Sequence, residues 1–329
     1  RPAIDIARAV VETRDTPEAR DAYNRLRDLG LTEDYAIPAD VAYYDQVLET
    51  ALTVGAVAGE TLDDEFTLAR GNKDTAPLEM TKWFDTNYHY LVPEIGPETP
   101  FAANPEELKG QVYAGTYSPA DAAALRPAVV GPVTFLLLAK PEDSAPAGYD
   151  PLDRLEDLLP VYSELIAALG CTGVRWVQLE EPALAADQDR EDLPELVERA
   201  YRVLSEARAA EDPALLVTTA YGDARELLPV LARTGVEAVH ADLASGRRGL
   251  RRLTAEQLEP FLAPQAPALV AGVVDGRNVW RTDLPGALDL LEELTEAGAR
   301  VRVGTSTSLL HVPHDLEAET ALPGHARNR

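Results

Sequence analysis

The chain has 329 residues, and its 56 acidic side chains against 30 basic ones give a formal net charge of −26. A charge of this sign and size argues against partners such as nucleic acid or an anionic membrane surface, because both would repel it. The acid excess comes with only four lysines, which is typical either of a salt-adapted host or of a coding bias with a solvated acidic surface.

The first 30 residues predict an N-terminal helical segment, with Pro17 in the first turn of a helix and Gly30 as its stop. A weak strand is predicted at 36–40. Residues 41–54 predict an amphipathic helix, because their apolar side chains recur at helical spacing. Further helices before residue 127 are predicted at 62–70, 104–110 and 119–125.

From residue 128 onward, apolar runs alternate with amphipathic helical patterns, as expected of a parallel sheet with covering helices. The predicted strands are 128–138, 174–180, 214–220, 236–242, 268–274 and 300–305. The predicted helices are 151–169, 192–211, 223–233, 255–263 and 284–297. With 36–40 and a strand near 77–82, eight strands are predicted. That number favours an α/β fold of the (β/α)8 TIM-barrel type over an open doubly wound sheet.

The boundaries of the barrel domain are predicted at residues 31 and 320, which leaves a short tail at 321–329. No glycine-rich dinucleotide turn and no P-loop supports a nucleotide-binding fold. The single cysteine, Cys171, excludes an internal disulfide. No apolar run reaches the roughly 20 residues of a membrane helix, and no secretory signal is evident. We therefore expect a cytoplasmic protein that does not enter membranes.

One stretch stands out from the rest, E-M-T-K-W-F-D-T-N-Y-H-Y-L-V-P-E at 79–94. An ordinary buried strand would not mix cationic, acidic, amide and aromatic side chains so closely. The pattern predicts a strand end that runs into an ordered loop. Its polar side chains either point at a ligand or form a network that braces the loop.

Polar residues also follow the predicted strands at their carboxyl ends, where parallel barrels carry their chemistry. They are Thr134, Gln178, Glu180, Glu181, Thr218, Thr219, Tyr221, His240, Asp242, Asp275, Arg277, Asn278, Ser306, Ser308 and His311. The alternative is that they pair with one another, because buried polar groups need partners. Adjacent strand residues point to opposite faces, so Glu180 and Glu181 are not expected to cooperate as an acid/base pair.

The only metal-like motif, His311-Val312-Pro313-His314, is broken by a proline and does not predict a metal site. A hydrolase with Ser306 or Ser308 as nucleophile lacks the G-x-S-x-G elbow. We expect no catalytic residue and no metal ligand in this chain.

The stretch M-T-K-W-F-D-T-N-Y-H-Y-L-V-P-E closely resembles the signature of the N-terminal domain of cobalamin-independent methionine synthase. Further stretches that resemble this domain in the same order are G-P-V-T-F-L-L-L at 131–138, W-V-Q-L-E-E-P-A-L at 176–184, A-G-V-V-D-G-R-N-V-W-R-T-D-L at 271–284 and S-L-L-H-V-P-H-D-L at 308–316. The resemblance implies a (β/α)8 barrel. Residues 1–30 do not match the family's opening strand and basic segment. Either the barrel lacks its usual first strand, or the strand at 36–40 takes a different role.

The resemblance implies binding of 5-methyltetrahydrofolate through its polyglutamate tail. Carried over from the family, the tail contacts are Lys82 and Asn87. A lysine suits a mobile polyanion, because it is a point charge on a flexible stem. The alternative for Lys82 is a salt bridge to Asp85 or Glu79.

In the family, zinc and homocysteine lie in the C-terminal half, which these residues do not contain. The resemblance therefore implies part of a methyltransferase that makes methionine from homocysteine. We expect it to bind no zinc and to be inactive without a zinc-bearing catalytic domain, in cis or in trans. The alternative is a non-catalytic binding module or remnant that docks on a separate zinc-bearing domain.

Overall fold

The computed structural model of the chain describes residues 37–39, 45–59, 61–106, 108, 122–123, 125–186, 190–244 and 249–312. Its strands are β1 Ile37–Ala39, β2 Met80–Lys82, β3 His89–Leu91, β4 Glu94–Ile95, β5 Leu125–Val130, β6 Lys140–Pro141, β7 Trp176–Glu180, β8 Ala214–Thr219, β9 Ala238–Asp242, β10 Ala268–Val274 and β11 Val301–Thr305. Its α-helices are α1 Gln46–Thr53, α2 Leu62–Arg70, α3 Pro132–Leu138, α4 Leu155–Gly170, α5 Leu193–Ala207, α6 Leu228–Leu231, α7 Ala255–Leu258 and α8 Leu284–Glu296. The predicted segments at 1–30 and 321–329 lie outside the described residues.

Seven strands form one sheet in the order β1-β5-β7-β8-β9-β10-β11, and every neighbouring pair is parallel. Parallel neighbours need a crossover connection, and helices supply most of these connections here. The prediction of an α/β fold with a parallel sheet is therefore confirmed. Among the described residues, no pairing joins β11 back to β1, so closure into a barrel stays a prediction.

The two faces of this sheet differ in chemistry. One face carries apolar side chains such as Val177 and Val217, which join a hydrophobic cluster with Leu158 of α4 and Val197 of α5. Each fully buried side chain of this kind contributes about 1.5–3 kcal/mol relative to leaving it in water. The other face is more polar. The core thus lies between the sheet and its helices, and the opposite face is left for charged and hydrogen-bonding groups.

The predicted strand at 128–138 is wrong in its second half. The strand β5 ends at Val130, and Pro132–Leu138 form the helix α3. An apolar run alone does not separate a buried strand from a buried helix. The local signal is Pro132, which is well placed at the first helical position because it has no N–H to leave unpaired.

The predicted strand near 77–82 exists as β2 but does not belong to the parallel sheet. It pairs antiparallel with β3, Met80 against Leu91 and Lys82 against His89. We call residues 80–91 the hairpin. The prediction that eight strands share one sheet is therefore wrong, because β2 lies outside it. The sheet has seven strands among the described residues.

Several predicted helices are confirmed with small changes of their ends. Residues 62–70 form a helix as predicted, capped by Thr61 and Asp64. The helix predicted at 192–211 ends at Ala207, and the one predicted at 223–233 is reduced to Leu228–Leu231. The pieces predicted at 104–110 and 119–125 lie largely outside the described residues.

Candidate binding site at the carboxyl edge of the sheet

The hairpin is held by an aromatic cluster centred on Trp83. This side chain is only 1% exposed, and it meets the rings of Phe84, Tyr88, Tyr90 and Tyr221 edge-on at 4.9–6.4 Å. Edge-to-face contacts of this kind contribute about 0.5–1.5 kcal/mol each beyond the buried area. Because Tyr221 follows β8, the cluster joins the tip of the hairpin to the carboxyl edge of the sheet.

Two residues in this cluster have left-handed backbones. Phe84 has φ of 48° and Tyr221 has φ of 70°, and no other non-glycine residue in the described ranges has positive φ. Left-handed backbone costs a bulky residue about 1–2 kcal/mol. The two rings stack on each other with centroids 5.7 Å apart and planes 8° apart. The surrounding contacts must therefore compensate for the strain at both positions.

Polar contacts reinforce the same junction. The Arg277 guanidinium, which follows β10, donates to the backbone oxygens of Tyr221 and Asp85, each at 3.3 Å. The hydroxyl of Tyr221 lies 2.9 Å from Nε2 of His311, which follows β11. The hairpin tip is thus fixed to segments that follow β8 and β10, and His311, after β11, supports it through Tyr221.

The predicted tail contacts, Lys82 and Asn87, lie at the exposed end of this hairpin. The carboxylates proposed as alternative partners of Lys82 pair elsewhere. Glu79 pairs with Lys140 at 3.1 Å, and Asp85 lies 3.8 Å from Arg277. Among the described residues, no carboxylate forms an ion pair with Lys82.

The polar face of the sheet carries a row of polar and charged side chains, and the sequence predicted only some of them. Glu180, Thr218 and His240 lie side by side in register on β7, β8 and β9. Gln178 accepts from the Arg126 Nε at 3.0 Å and donates to Glu180 at 2.8 Å. Arg126 was missed, because its partner is distant in sequence and it precedes a proline in an apolar run.

Two groups on this face have strongly shifted pKa values. Burial lowers the pKa of His240 to about 4, and its Nε2 lies 2.8 Å from the carbonyl oxygen of Thr305. Burial raises the pKa of Asp242 to about 7, although the nearby Arg251 guanidinium acts in the opposite direction. The ion-pair partner of Asp242 is not His240, its neighbour in the predicted polar set. Asp242 pairs with Arg251 instead, at 3.2 Å.

Other members of the predicted polar set brace the fold. Glu181 is fully buried and accepts from the backbone N–H groups of Val133 and Thr134 at the start of α3, and from the Tyr201 hydroxyl. Burial raises the pKa of the Glu181 carboxyl. The prediction that Glu180 and Glu181 serve different faces is confirmed. Glu181 positions a helix and does not face a ligand.

Residues 13–299 of the chain match a family model described as "Cobalamin-independent synthase, N-terminal domain". The chain belongs to this family. Among its relatives, the 5-methyltetrahydropteroyltriglutamate–homocysteine methyltransferase of Mycolicibacterium paratuberculosis is 46% identical over 328 residues, which cover 98% of this chain and 41% of the relative. The enzyme of the same name from Streptomyces avermitilis is 44% identical over 325 residues, covering 94% of this chain and 40% of the relative. The chain thus spans about two fifths of the length of these family members.

Solved structures support the fold of this family. A B12-independent methionine synthase from Shewanella sp. W3-18-1 gives a TM-score of 0.51 at 16% identity, over 72% of this chain and 69% of that one. A methyltransferase from Methanosarcina mazei gives a TM-score of 0.52 at 14% identity, over 93% and 87% of the two chains. At these identities the likeness concerns the fold alone.

The residues described here do not fit a zinc site. In the described part of the chain, no group of three His, Cys, Asp or Glu side chains is arranged to hold a metal ion. Within the H-x-x-H motif, Nε2 of His311 is already in contact with the Tyr221 hydroxyl, and His314 lies outside the described residues. Within the same limits, none of the helices is long and apolar enough to cross a bilayer.

Proposed function

We propose that this chain is the folate-polyglutamate-binding, N-terminal part of a methyltransferase that converts homocysteine to methionine. The methyl donor is 5-methyltetrahydrofolate with a polyglutamate tail. The observation that carries the proposal is the family membership over nearly the whole chain, because its relatives are methyltransferases named for a triglutamylated substrate. The reaction belongs to the complete enzyme, of which this chain corresponds to about two fifths.

The tail contacts in this proposal are Lys82 and Asn87. Within the part of the chain that the structure describes, the Lys82 ammonium has no carboxylate partner, which is unusual for a chain with 56 acidic side chains and four lysines. Opposite charge on a flexible stem suits a mobile chain of carboxylates, and the neighbouring amide of Asn87 can donate to the same ligand. The contacts of Trp83 and Phe84 with Tyr221 support this assignment, because they hold the hairpin that carries both residues against the segment that follows β8.

The remaining steps of the reaction are assigned to a zinc-bearing catalytic domain, in cis or in trans. Zinc there would lower the pKa of the homocysteine thiol and so supply the thiolate nucleophile. On this proposal the chain itself binds no zinc, carries no catalytic residue, works in the cytoplasm and makes no methionine alone.

Calorimetric titration with 5-methyltetrahydrofolate triglutamate tests the proposal directly. We expect the chain to bind, and Lys82→Ala to weaken binding about tenfold, as expected for the loss of a hydrogen bond to a charged group. Lys73→Ala is the matched control, because Lys73 is also exposed but lies beside Asp74 on a different loop. No binding by the wild-type chain, or equal loss in both variants, would contradict the assignment of Lys82 to the tail.

A further inference from the structure

The outward face of the hairpin presents two potential cations side by side. The antiparallel register places Lys82 directly opposite His89, and both side chains are exposed. Directly opposed residues have Cβ atoms about 4.5–5.5 Å apart and point to the same face. An anionic group bound by the Lys82 ammonium on this face can therefore also reach the His89 ring.

The orientation of the His89 ring fixes which nitrogen meets such an anion. Its Nδ1 lies 3.1 Å from the backbone oxygen of Asn87. A carbonyl oxygen only accepts, so Nδ1 carries the hydrogen, and Nε2 lies on the far side of the ring. The neutral ring then presents a lone pair at Nε2, which repels an anion, whereas the protonated ring presents a donor.

The charged groups packed around the hairpin are engaged elsewhere. At its base, Glu79 and Glu94 pair with Lys140, at 3.1 and 3.2 Å. At its tip, the partner of Asp85 is Arg277. From α1, the buried Asp45 carboxylate, whose pKa is raised by burial, accepts from the Leu91 N–H and the Tyr88 hydroxyl. Within the described ranges, neither Lys82 nor His89 has a carboxylate partner of its own.

We propose that His89 is a further contact for the glutamate tail, in addition to Lys82 and Asn87, and that it takes up a proton from solvent when the tail binds beside Lys82. This inference rests on the proposed function, because it concerns the same ligand. A carboxylate close to an imidazole favours the protonated ring. Affinity for the tail therefore rises as pH falls, because a higher proton concentration favours the protonated ring that donates to the anion.

The test is calorimetry of the full chain with 5-methyltetrahydrofolate triglutamate at pH 7, in two buffers of different ionisation enthalpy. The difference in apparent enthalpy gives the number of protons taken up. For wild type we expect an uptake above zero and below one. His89→Gln should abolish it and weaken binding about threefold, as for an exposed ion pair. His89→Lys carries a fixed charge, so it should bind without proton uptake and without pH dependence.

The outcomes separate this inference from the function on which it rests. Binding that is sensitive to Lys82→Ala but equal in affinity and proton uptake for wild type and His89→Gln would overturn the role of His89 alone. Proton uptake that persists in His89→Lys would assign the proton to another group and also overturn it. A wild-type chain that does not bind would overturn both proposals. Matching thermal midpoints of the two His89 variants and wild type check that folding is unchanged.

Discussion

At the scale of single residues, the polar face of the sheet shows how burial sets charge. Asp242 and His240 lie on the same strand and face, and both are nearly buried. Burial raises the pKa of the acid to about 7 and lowers that of the base to about 4. Removal from water disfavours the charged form of either group. Near neutral pH, therefore, the histidine is neutral and Asp242 titrates.

This shift predicts a pH dependence of stability. A carboxyl whose pKa rises from 3.8 to about 7 on folding binds more protons in the folded state. The free energy of unfolding must then fall as pH rises through that window. We expect wild type to lose about 2 kcal/mol relative to Asp242→Asn between pH 5 and pH 7. Urea unfolding of both proteins at several pH values measures the difference.

The control for Asp242→Asn is Asp289→Asn, which makes the same charge change on an exposed face of α8. The free energy of unfolding of Asp289→Asn should change with pH in the same way as that of wild type. If the free energy of unfolding of Asp242→Asn also changes with pH as that of wild type does, the carboxyl of Asp242 does not have a raised pKa in the folded protein.

What the sequence could predict at this scale follows from distance along the chain. The opposite roles of Glu180 and Glu181 were predictable, because neighbouring strand residues alternate between faces. The hydrogen-bond partners of the polar residues were not predictable. Arg126 meets Gln178 across a separation of 52 residues, and only the strand order brings these two side chains together.

At the scale of elements, the hairpin depends on packing that its own sequence does not contain. A two-stranded hairpin alone is marginally stable in water. Here Tyr221, from the end of β8, stacks on Phe84 and meets Trp83 edge-on. The sequence predicted an ordered loop after a strand. The antiparallel return at β3 was missed, because four residues between Trp83 and Tyr88 form no familiar two-residue turn.

This dependence predicts a local effect of Tyr221→Ala. Loss of the stacked ring should release the hairpin while leaving the parallel sheet intact. We expect amide hydrogen exchange in residues 80–91 to accelerate about tenfold, which corresponds to about 1.4 kcal/mol and agrees with the strength of aromatic pairs. Mass spectrometry of exchange in peptic peptides measures it.

Tyr221→Phe is the matched variant, because it keeps the ring and removes only the hydroxyl that contacts His311. Its hairpin should exchange nearly as slowly as that of wild type. Faster exchange spread evenly over the sheet and the hairpin in Tyr221→Ala would show instead that Tyr221 supports global stability.

At the scale of the whole molecule, the alternation of apolar runs with amphipathic helices was enough to predict a parallel sheet. The number of its strands was not predictable in the same way. Residues 131–138 and 77–82 read as sheet strands, yet one is a helix capped by a distant carboxylate and the other belongs to the hairpin. The helix has a local signal in Pro132 at its first position, whereas the hairpin packs on Tyr221 from beyond β8, a contact that no local pattern contains.

The net charge of −26 acts on the molecule as a whole. Like charges spread over a compact surface repel one another and destabilise the folded state. Salt screens this repulsion, since the Debye length falls from about 10 Å at 0.1 M to about 3 Å at 1 M. Exposed ion pairs such as Arg199 with Glu156 contribute little to the stability of the fold. Weakening them with salt therefore does not offset the stability gained by screening the repulsion.

We therefore expect the midpoint of thermal unfolding to rise by about 2 °C between 0.1 and 1 M NaCl, equivalent to about 1–2 kcal/mol for a chain of this size. Because screening depends on ionic strength alone, choline chloride should raise the midpoint of unfolding as much as NaCl does. Sucrose at equal osmolality carries no charge, so it should not reproduce the steep rise of the midpoint at low salt concentration. Scanning calorimetry in the three solutes measures the effect. A midpoint that is flat or falls with salt would mean that the acidic surface is already compensated, and that its composition reflects coding bias and not adaptation to salt.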